Sequence, residues 1–283
     1  MEILLAKSAG FCFGVKRAIN LAFSTAKKRG KVFCLGPIIH NPQVVEKLKR
    51  SGVQEKESLE EIKEGTVILR SHGVSPEVME KARSRGLEIV DATCPFVMRS
   101  QKFVRRLTEE GYFILIVGDR RHPEVQGIVG QAKGEILVID SPEGLKGLKR
   151  KKRIGVVTQT TQTLANLKEI MTQVLERARE VRVLNSICSA TARRQLESRK
   201  LAGKVDCMLV VGGYNSSNTN KLAEICQEVN PHTYHIEEAR ELNPSWFNGA
   251  KRVGLTGGAS TPSWLIEQIV KKVRDFEKDR AGA

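Results

Sequence analysis

The stretch EIVDATCPFVMRSQ, residues 88–101, changes character at a single cysteine. Before Cys94 it is a short apolar run of strand type. After it, Pro95 stands where a helix loses nothing by lacking an N–H, and apolar residues return at helical spacing. Two other segments share this shape: AKSAGFC ends at Cys12 and RVLNSIC at Cys188, and each opens an amphipathic helix, GVKRAINLAFSTAKKRG and SATARRQLESRKLAG. A cysteine at a helix start faces unpaired N–H groups and the positive end of the helix dipole. Both favour the thiolate, the form that binds metals.

Counting forward 28 residues from each cysteine reaches His40 in LGPIIHNPQVVEKL, His122 in VGDRRHPEVQGIV and Ser216 in VGGYNSSNTNKLAEI. Each time an apolar strand ends near a glycine, a polar residue occupies the turn and a helix begins, with Pro42 and Pro123 at early helical positions. Each third then offers one more strand-turn-helix, placing His72 in TVILRSHGVSPEV, Thr160 and Thr161 in RIGVVTQTTQTL and Ser260 in RVGLTGGASTPSW. The chain reads as an internal triplicate of α/β class, with repeats at 1–93, 94–187 and 188–283. Alternating strands and helices predict mainly parallel sheets, whose ligands gather beyond the carboxyl ends of the strands. The polar turns and the three cysteines are therefore expected around one central cavity.

The cysteines lie too far apart in sequence for a local C-x-x-C zinc motif. Three thiolates with no fourth equivalent fit either zinc completed by a histidine or a 4Fe-4S cluster whose fourth iron has no protein thiolate and stays open to substrate. Cys34, Cys207 and Cys226 lie in apolar strands or on an apolar helix stripe and read as core. His40, His72, Ser216, Ser217, Asn218 and Ser260 are donors on turns that open helices; singly each fits an ordinary helix cap, and together they suit a phosphate or diphosphate. Glu124, two residues after His122, decorates the helix dipole or serves as a proton donor with a raised pKa, with His122 orienting it or relaying protons.

Lys and Arg outnumber Asp and Glu by 47 to 32 in 283 residues, a formal charge of +15, which calls for an anionic partner or a strongly solvated surface. Apolar residues make up 40% and charged residues 28%, the balance of a globular protein and not of a disordered chain. The basic run LKGLKRKKR, 145–153, has no interleaved aromatic to stack on bases and reads as a solvated loop. No nucleic-acid motif is present, and no apolar run approaches the roughly 18 residues needed to cross a bilayer. A cytoplasmic protein is expected, with neither membrane nor nucleic acid as partner.

Nine motifs in order, AGFCFGVKRAI, GPIIHNPQV, SHGVSPEV, DATCPFV, HPEVQGIVGQ, TQTT, ICSATARRQ, NSSNTNKL and GGASTP, span residues 9–262. In these the sequence resembles the 4-hydroxy-3-methylbut-2-enyl diphosphate reductase (IspH/LytB) family. The resemblance implies a trefoil of three small α/β domains around a central iron-sulfur site, one 4Fe-4S cluster held by Cys12, Cys94 and Cys188 with one open iron. It implies two-electron reductive dehydroxylation of an allylic alcohol diphosphate to isopentenyl and dimethylallyl diphosphates, the last step of the non-mevalonate isoprenoid pathway. His40, His72, Ser216, Ser217, Asn218 and Ser260 would hold the diphosphate, Glu124 would donate a proton, Thr160 would hydrogen-bond near Glu124 and the substrate hydroxyl, and His122 would join the same polar wall. The implied electron donor is a small acidic carrier such as ferredoxin or flavodoxin. Phe13, Asn185 and Ser189 depart from the family's pattern beside two of the cysteines. The competing readings are a zinc-dependent hydrolase of a phosphorylated substrate and a basic nucleic-acid-binding protein.

Overall fold

The computed structural model describes residues 1–281, so the expected third repeat runs two residues past them. Its strands are β1 (Glu2–Leu5), β2 (Val32–Leu35), β3 (Val53–Lys56), β4 (Thr66–Leu69), β5 (Glu88–Asp91), β6 (Phe113–Val117), β7 (Ile136–Ile139), β8 (Lys151–Thr158), β9 (Ala178–Leu184), β10 (Cys207–Val211), β11 (Thr233–Ile236) and β12 (Arg252–Gly257). The helices are α1 (Phe13–Lys28), α2 (Pro42–Arg50), α3 (Pro76–Ser84), α4 (Pro95–Glu109), α5 (Pro123–Val129), α6 (Leu164–Leu175), α7 (Ser189–Ala202), α8 (Ser217–Gln227) and α9 (Ser263–Ala281). No helix among the described residues is long and apolar enough to cross a membrane.

The chain divides into two compact units. One holds Met1–Phe13, His40–Val44 and the residues from Ser189 on; the other holds Gly14–Ile39 and Val45–Cys188. The first contains one four-stranded sheet in the order β1-β12-β10-β11, and the second contains two, β3-β2-β4-β5 and β7-β6-β8-β9. The strand pairings are parallel throughout these sheets. Central strands such as β4 (TVIL) and β10 (CMLVV) are buried along their whole length, the mark of a parallel strand covered on both faces. Edge strands such as β3 (VQEK) and β5 (EIVD) carry charge, which discourages further pairing. In the first unit, Val253, Leu255, Leu265, Ile269 and Phe247 form the core on one side of the sheet, and Met208, Val210, Leu222 and Cys226 form a second. The burial of Cys34, Cys207 and Cys226 agrees with their reading as core.

The three sheets share one plan, with a difference from the sequence reading. In the second unit, the last strand in chain order, β5 or β9, lies beside the central strand β4 or β8. In the first unit, that place beside β12 is taken by β1, with Ile3 opposite Val253 and Leu5 opposite Leu255. The N-terminal strand, assigned by spacing to the repeat 1–93, therefore completes the sheet of the third repeat. An open edge on β12 would leave its N–H and C=O groups unpaired, and β1 satisfies them. The equivalent strands β5, β9 and β1 are thus the ones that run into Cys94, Cys188 and Cys12. Helix α4, which follows Cys94, packs on β6 and β8. Cys94 stands where the chain leaves one sheet for the next.

Candidate active site

In the second unit, the turns after β4, β6 and β8 carry the expected polar residues. His122 caps α5, its Nδ1 accepting from the Glu124 N–H at 3.1 Å, and Pro123 holds the first helical position. This cap turns the Glu124 carboxylate inward, where only 3% of the residue is exposed. The carboxylate accepts the Thr160 backbone N–H at 2.6 Å and the Thr160 hydroxyl at 2.8 Å. Burial pushes the Glu124 carboxyl up to about 7, although both Thr160 donors act the other way by favouring the charged form. His72 meets His122 edge-on, with ring centroids 5.3 Å apart. Glu124, Thr160, His122 and His72 are thus brought into two adjoining polar pairs, with the carboxyl of Glu124 buried among them.

In the first unit, the turns after β10 and β12 pack together and against the segment His40–Val44. Ser260 donates its hydroxyl to the His40 carbonyl at 3.0 Å. Gly213 lies so close that a Cβ there would stand 2.8 Å from the same carbonyl oxygen. Gly212, at φ +147°, and Gly258 leave no room for side chains against Thr219 and Thr261, which lock the two turns together. Ser216 caps α8, its hydroxyl accepting from the Thr219 N–H at 3.3 Å. Ser217 is half-buried beside it. Asn218 is 5% exposed, yet its Oδ1 and Nδ2 meet no partner among the described residues. Leaving such atoms unmet costs roughly 1 to 3 kcal/mol, a cost that a polar ligand would remove.

The cysteines repeat one backbone device. Cys94 donates its N–H to the Ser71 carbonyl at 2.9 Å, Cys188 to the Thr160 carbonyl at 3.0 Å and Cys12 to the Ala259 carbonyl at 3.1 Å. The three acceptors each stand two residues past the ends of β4, β8 and β12. Thr160 is therefore the counterpart of Ser71 and Ala259, while Thr161 is the counterpart of His72 and Ser260. Spacing alone did not separate the two threonines. All three cysteines are half-buried, unlike Cys34, Cys207 and Cys226, whose thiols burial pushes up to about 12.

The sequence departures find local explanations. Asn185 Oδ1 accepts the Ile187 N–H at 3.1 Å just as Asp91 Oδ1 accepts the Thr93 N–H at 2.9 Å, so both residues close the same turn three positions before a cysteine. Phe13 and Ser189 are exposed. Sequence reasoning missed two arginines: Arg17 donates to the carbonyls of Asp91 and Thr93, and Arg194, 3% exposed, donates to those of Gly10 and Gly257. Their basic side chains carried no local signal of burial; around Arg194 the buried face of α7 is itself mostly polar, with Thr191 and Ser198.

These features define a parallel α/β protein of three like sheets, with polar turns and cysteines at strand carboxyl ends and a buried acid beside two histidines. The chain belongs to the LytB family, the family described as LytB protein matching residues 3–274. It is 53% identical, over all of both chains, to the 4-hydroxy-3-methylbut-2-enyl diphosphate reductase of Geobacter metallireducens. It is 54% identical, again over all of both chains, to that of Geobacter sulfurreducens. A solved structure of (E)-4-hydroxy-3-methyl-but-2-enyl diphosphate reductase, described as the terminal enzyme of the non-mevalonate pathway, matches 97% of this chain and 100% of its own at 48% identity and a TM-score of 0.69. The corresponding reductase from Plasmodium falciparum matches 95% of this chain and 87% of its own at 28% identity and a TM-score of 0.90.

Proposed function

We propose that this chain reduces (E)-4-hydroxy-3-methylbut-2-enyl diphosphate to isopentenyl and dimethylallyl diphosphates, consuming two electrons and two protons and releasing water. The observation that carries the proposal is the buried Glu124 carboxyl, pushed up to about 7 and aimed by both donors of Thr160. A group protonated near neutrality suits delivery of a proton to a leaving hydroxyl.

The donor set fits a 4Fe-4S cluster on Cys12, Cys94 and Cys188. The three half-buried cysteines follow equivalent strands and share the same backbone anchor, whereas the other three thiols are held neutral by burial. When bound, such a cluster supplies single-electron transfers and an open iron acting as a Lewis acid on the substrate hydroxyl. Glu124 protonates that hydroxyl so that it departs as water, and Thr160 orients the acid. His122, capping the helix of Glu124, holds the acid's backbone in place. The orphaned amide of Asn218, with His40, His72, Ser216, Ser217 and Ser260, holds the diphosphate. Fixing the charged end of the substrate makes the hydroxyl's approach to Glu124 effectively intramolecular. The +15 charge suits an acidic one-electron carrier, ferredoxin or flavodoxin, through electrostatic steering.

Anaerobic turnover with a chemical reductant tests the reading: both five-carbon diphosphates form, and the protein carries iron and sulfide near four of each per chain. Bound zinc in place of iron, with release of phosphate from the substrate, would establish the hydrolase instead.

A further inference from the structure

Two arginines hold the loops that lead into two of the cysteines. Arg17 lies on α1, five residues after Cys12, and its Nη1 and Nη2 donate to the carbonyls of Thr93 at 3.1 Å and Asp91 at 3.3 Å, one and three residues before Cys94. Arg194 lies on α7, six residues after Cys188. Its Nη1 donates to the Gly257 carbonyl at 2.5 Å and its Nη2 to the Gly10 carbonyl at 2.9 Å, the latter two residues before Cys12. Each guanidinium spans two carbonyls with one planar fork, which a lysine cannot do. The pattern stops there. Arg99, five residues after Cys94, lies over the Phe103 ring at 5.0 Å, and the loop before Cys188 is closed by the Ser186 hydroxyl on the Thr158 carbonyl at 2.6 Å.

We infer that Arg17 and Arg194 are positioning residues for the metal centre: the helix that follows one cysteine carries the cation that fixes the loop entering another. This rests on the cluster reading of the cysteines. Two physical consequences separate the fork from a merely structural ion. Fixed loops hold the thiol-bearing residues in place before a cluster is loaded, and loss of outer-shell partners of metal ligands costs on the order of 10- to 100-fold in metal affinity. A cation held on carbonyls one to three residues before a ligand also favours the more negative, reduced state of a thiolate-bound centre, because charge near a cluster sets its potential.

The test compares Arg17→Gln, Arg194→Lys, Arg194→Gln and Arg99→Gln with the unaltered protein, all reconstituted anaerobically. Three quantities are read: the rate of iron loss to a chelator, the midpoint potential by spectroscopic titration, and the melting temperature of the metal-free form. Arg17→Gln and Arg194→Gln are expected to lose iron about tenfold faster or more, with potentials shifted to more negative values. Arg194→Lys should keep the potential while still losing iron faster, since it restores charge without the fork. Arg99→Gln should match the unaltered protein in all three. Arg17, half-buried, serves the comparison if a change at the buried Arg194 prevents folding. Unaltered iron loss and potential in Arg17→Gln, or equal losses in Arg99→Gln, overturn the inference. Absence of iron and sulfide from the unaltered protein sinks the underlying cluster reading instead, before any variant is compared.

Discussion

Thr160 gives the Glu124 carboxylate both of its donors, the backbone N–H at 2.6 Å and the hydroxyl at 2.8 Å, while its own carbonyl accepts the Cys188 N–H at 3.0 Å. One residue therefore fixes the acid and the cysteine just ahead of α7 at once. Of the two partners, the acid carries the sharper prediction. Glu124→Gln keeps size and hydrogen bonding but has no proton to give, so turnover should fall about 100-fold or more with substrate affinity retained. Near-normal turnover in a steady-state assay would reduce Glu124 to a helix-start carboxylate.

The pH dependence follows from the same carboxyl. Its folded value, about 7, lies above the ordinary 4.5, so the native state binds the extra proton between those values. Stability from this group is present in full below about 4.5 and is lost as pH rises through about 7. Activity that needs the protonated acid should decline over the same upper range. Denaturant titrations from pH 5 to 8 should show a shallower decline in Glu124→Gln than in the unaltered protein.

Thr160→Val removes only the hydroxyl donor. Because that bond favours the ionised carboxylate, its loss should move the alkaline limb of the pH–rate profile to higher pH. Turnover should drop by roughly 10- to 100-fold, the scale of a lost hydrogen bond to a charged group. An unmoved limb would mean that burial alone governs the acid.

Cys94→Ser should remove most bound iron and all turnover, whereas Cys34→Ser should retain both, since the Cys34 thiol is buried and pushed up to about 12. Iron analysis of the two purified proteins decides. Equal iron contents would mean that the repeated hinge does not select the ligands.

Asn218→Ala should weaken diphosphate binding by about 10- to 100-fold, measured by calorimetry against the free diol as control. Its side-chain atoms have no partner among the described residues, so the melting temperature without ligand should hold or rise. A large fall in melting temperature would assign the amide a structural role.

Much of this arrangement was legible in the chain because it rests on local rules. A cysteine between an apolar run and a proline-led helix, as at Cys94, marks a strand-to-helix hinge from its immediate neighbours. The recurrence of His40, His122 and Ser216 at one offset from three cysteines exposed the triplicate. Helix-start chemistry placed Glu124 in a first turn facing inward, since the cap at His122 and Pro123 is a matter of a few backbone groups. None of these steps needed to know which strand lies beside which.

Pairing over long separations and burial were decided only in three dimensions. Strand β1 joins β12 across about 250 residues because β12, buried along nearly all its length, is unsuited to an exposed edge, and no periodicity in EILL could say which sheet it would cover. Whether Glu124 ionises depends on the dielectric around it and on Thr160, 36 residues away. Arg17 and Arg194 went unnoticed in the sequence; their partners are carbonyls delivered by distant turns, and Asn218's orphaned amide is visible only when every neighbour is accounted for. Local propensity and capping act over a few residues and are written in the order of side chains. Solvent exclusion and partner geometry are properties of the packed chain, and here they turned an expected acid into one held near neutrality.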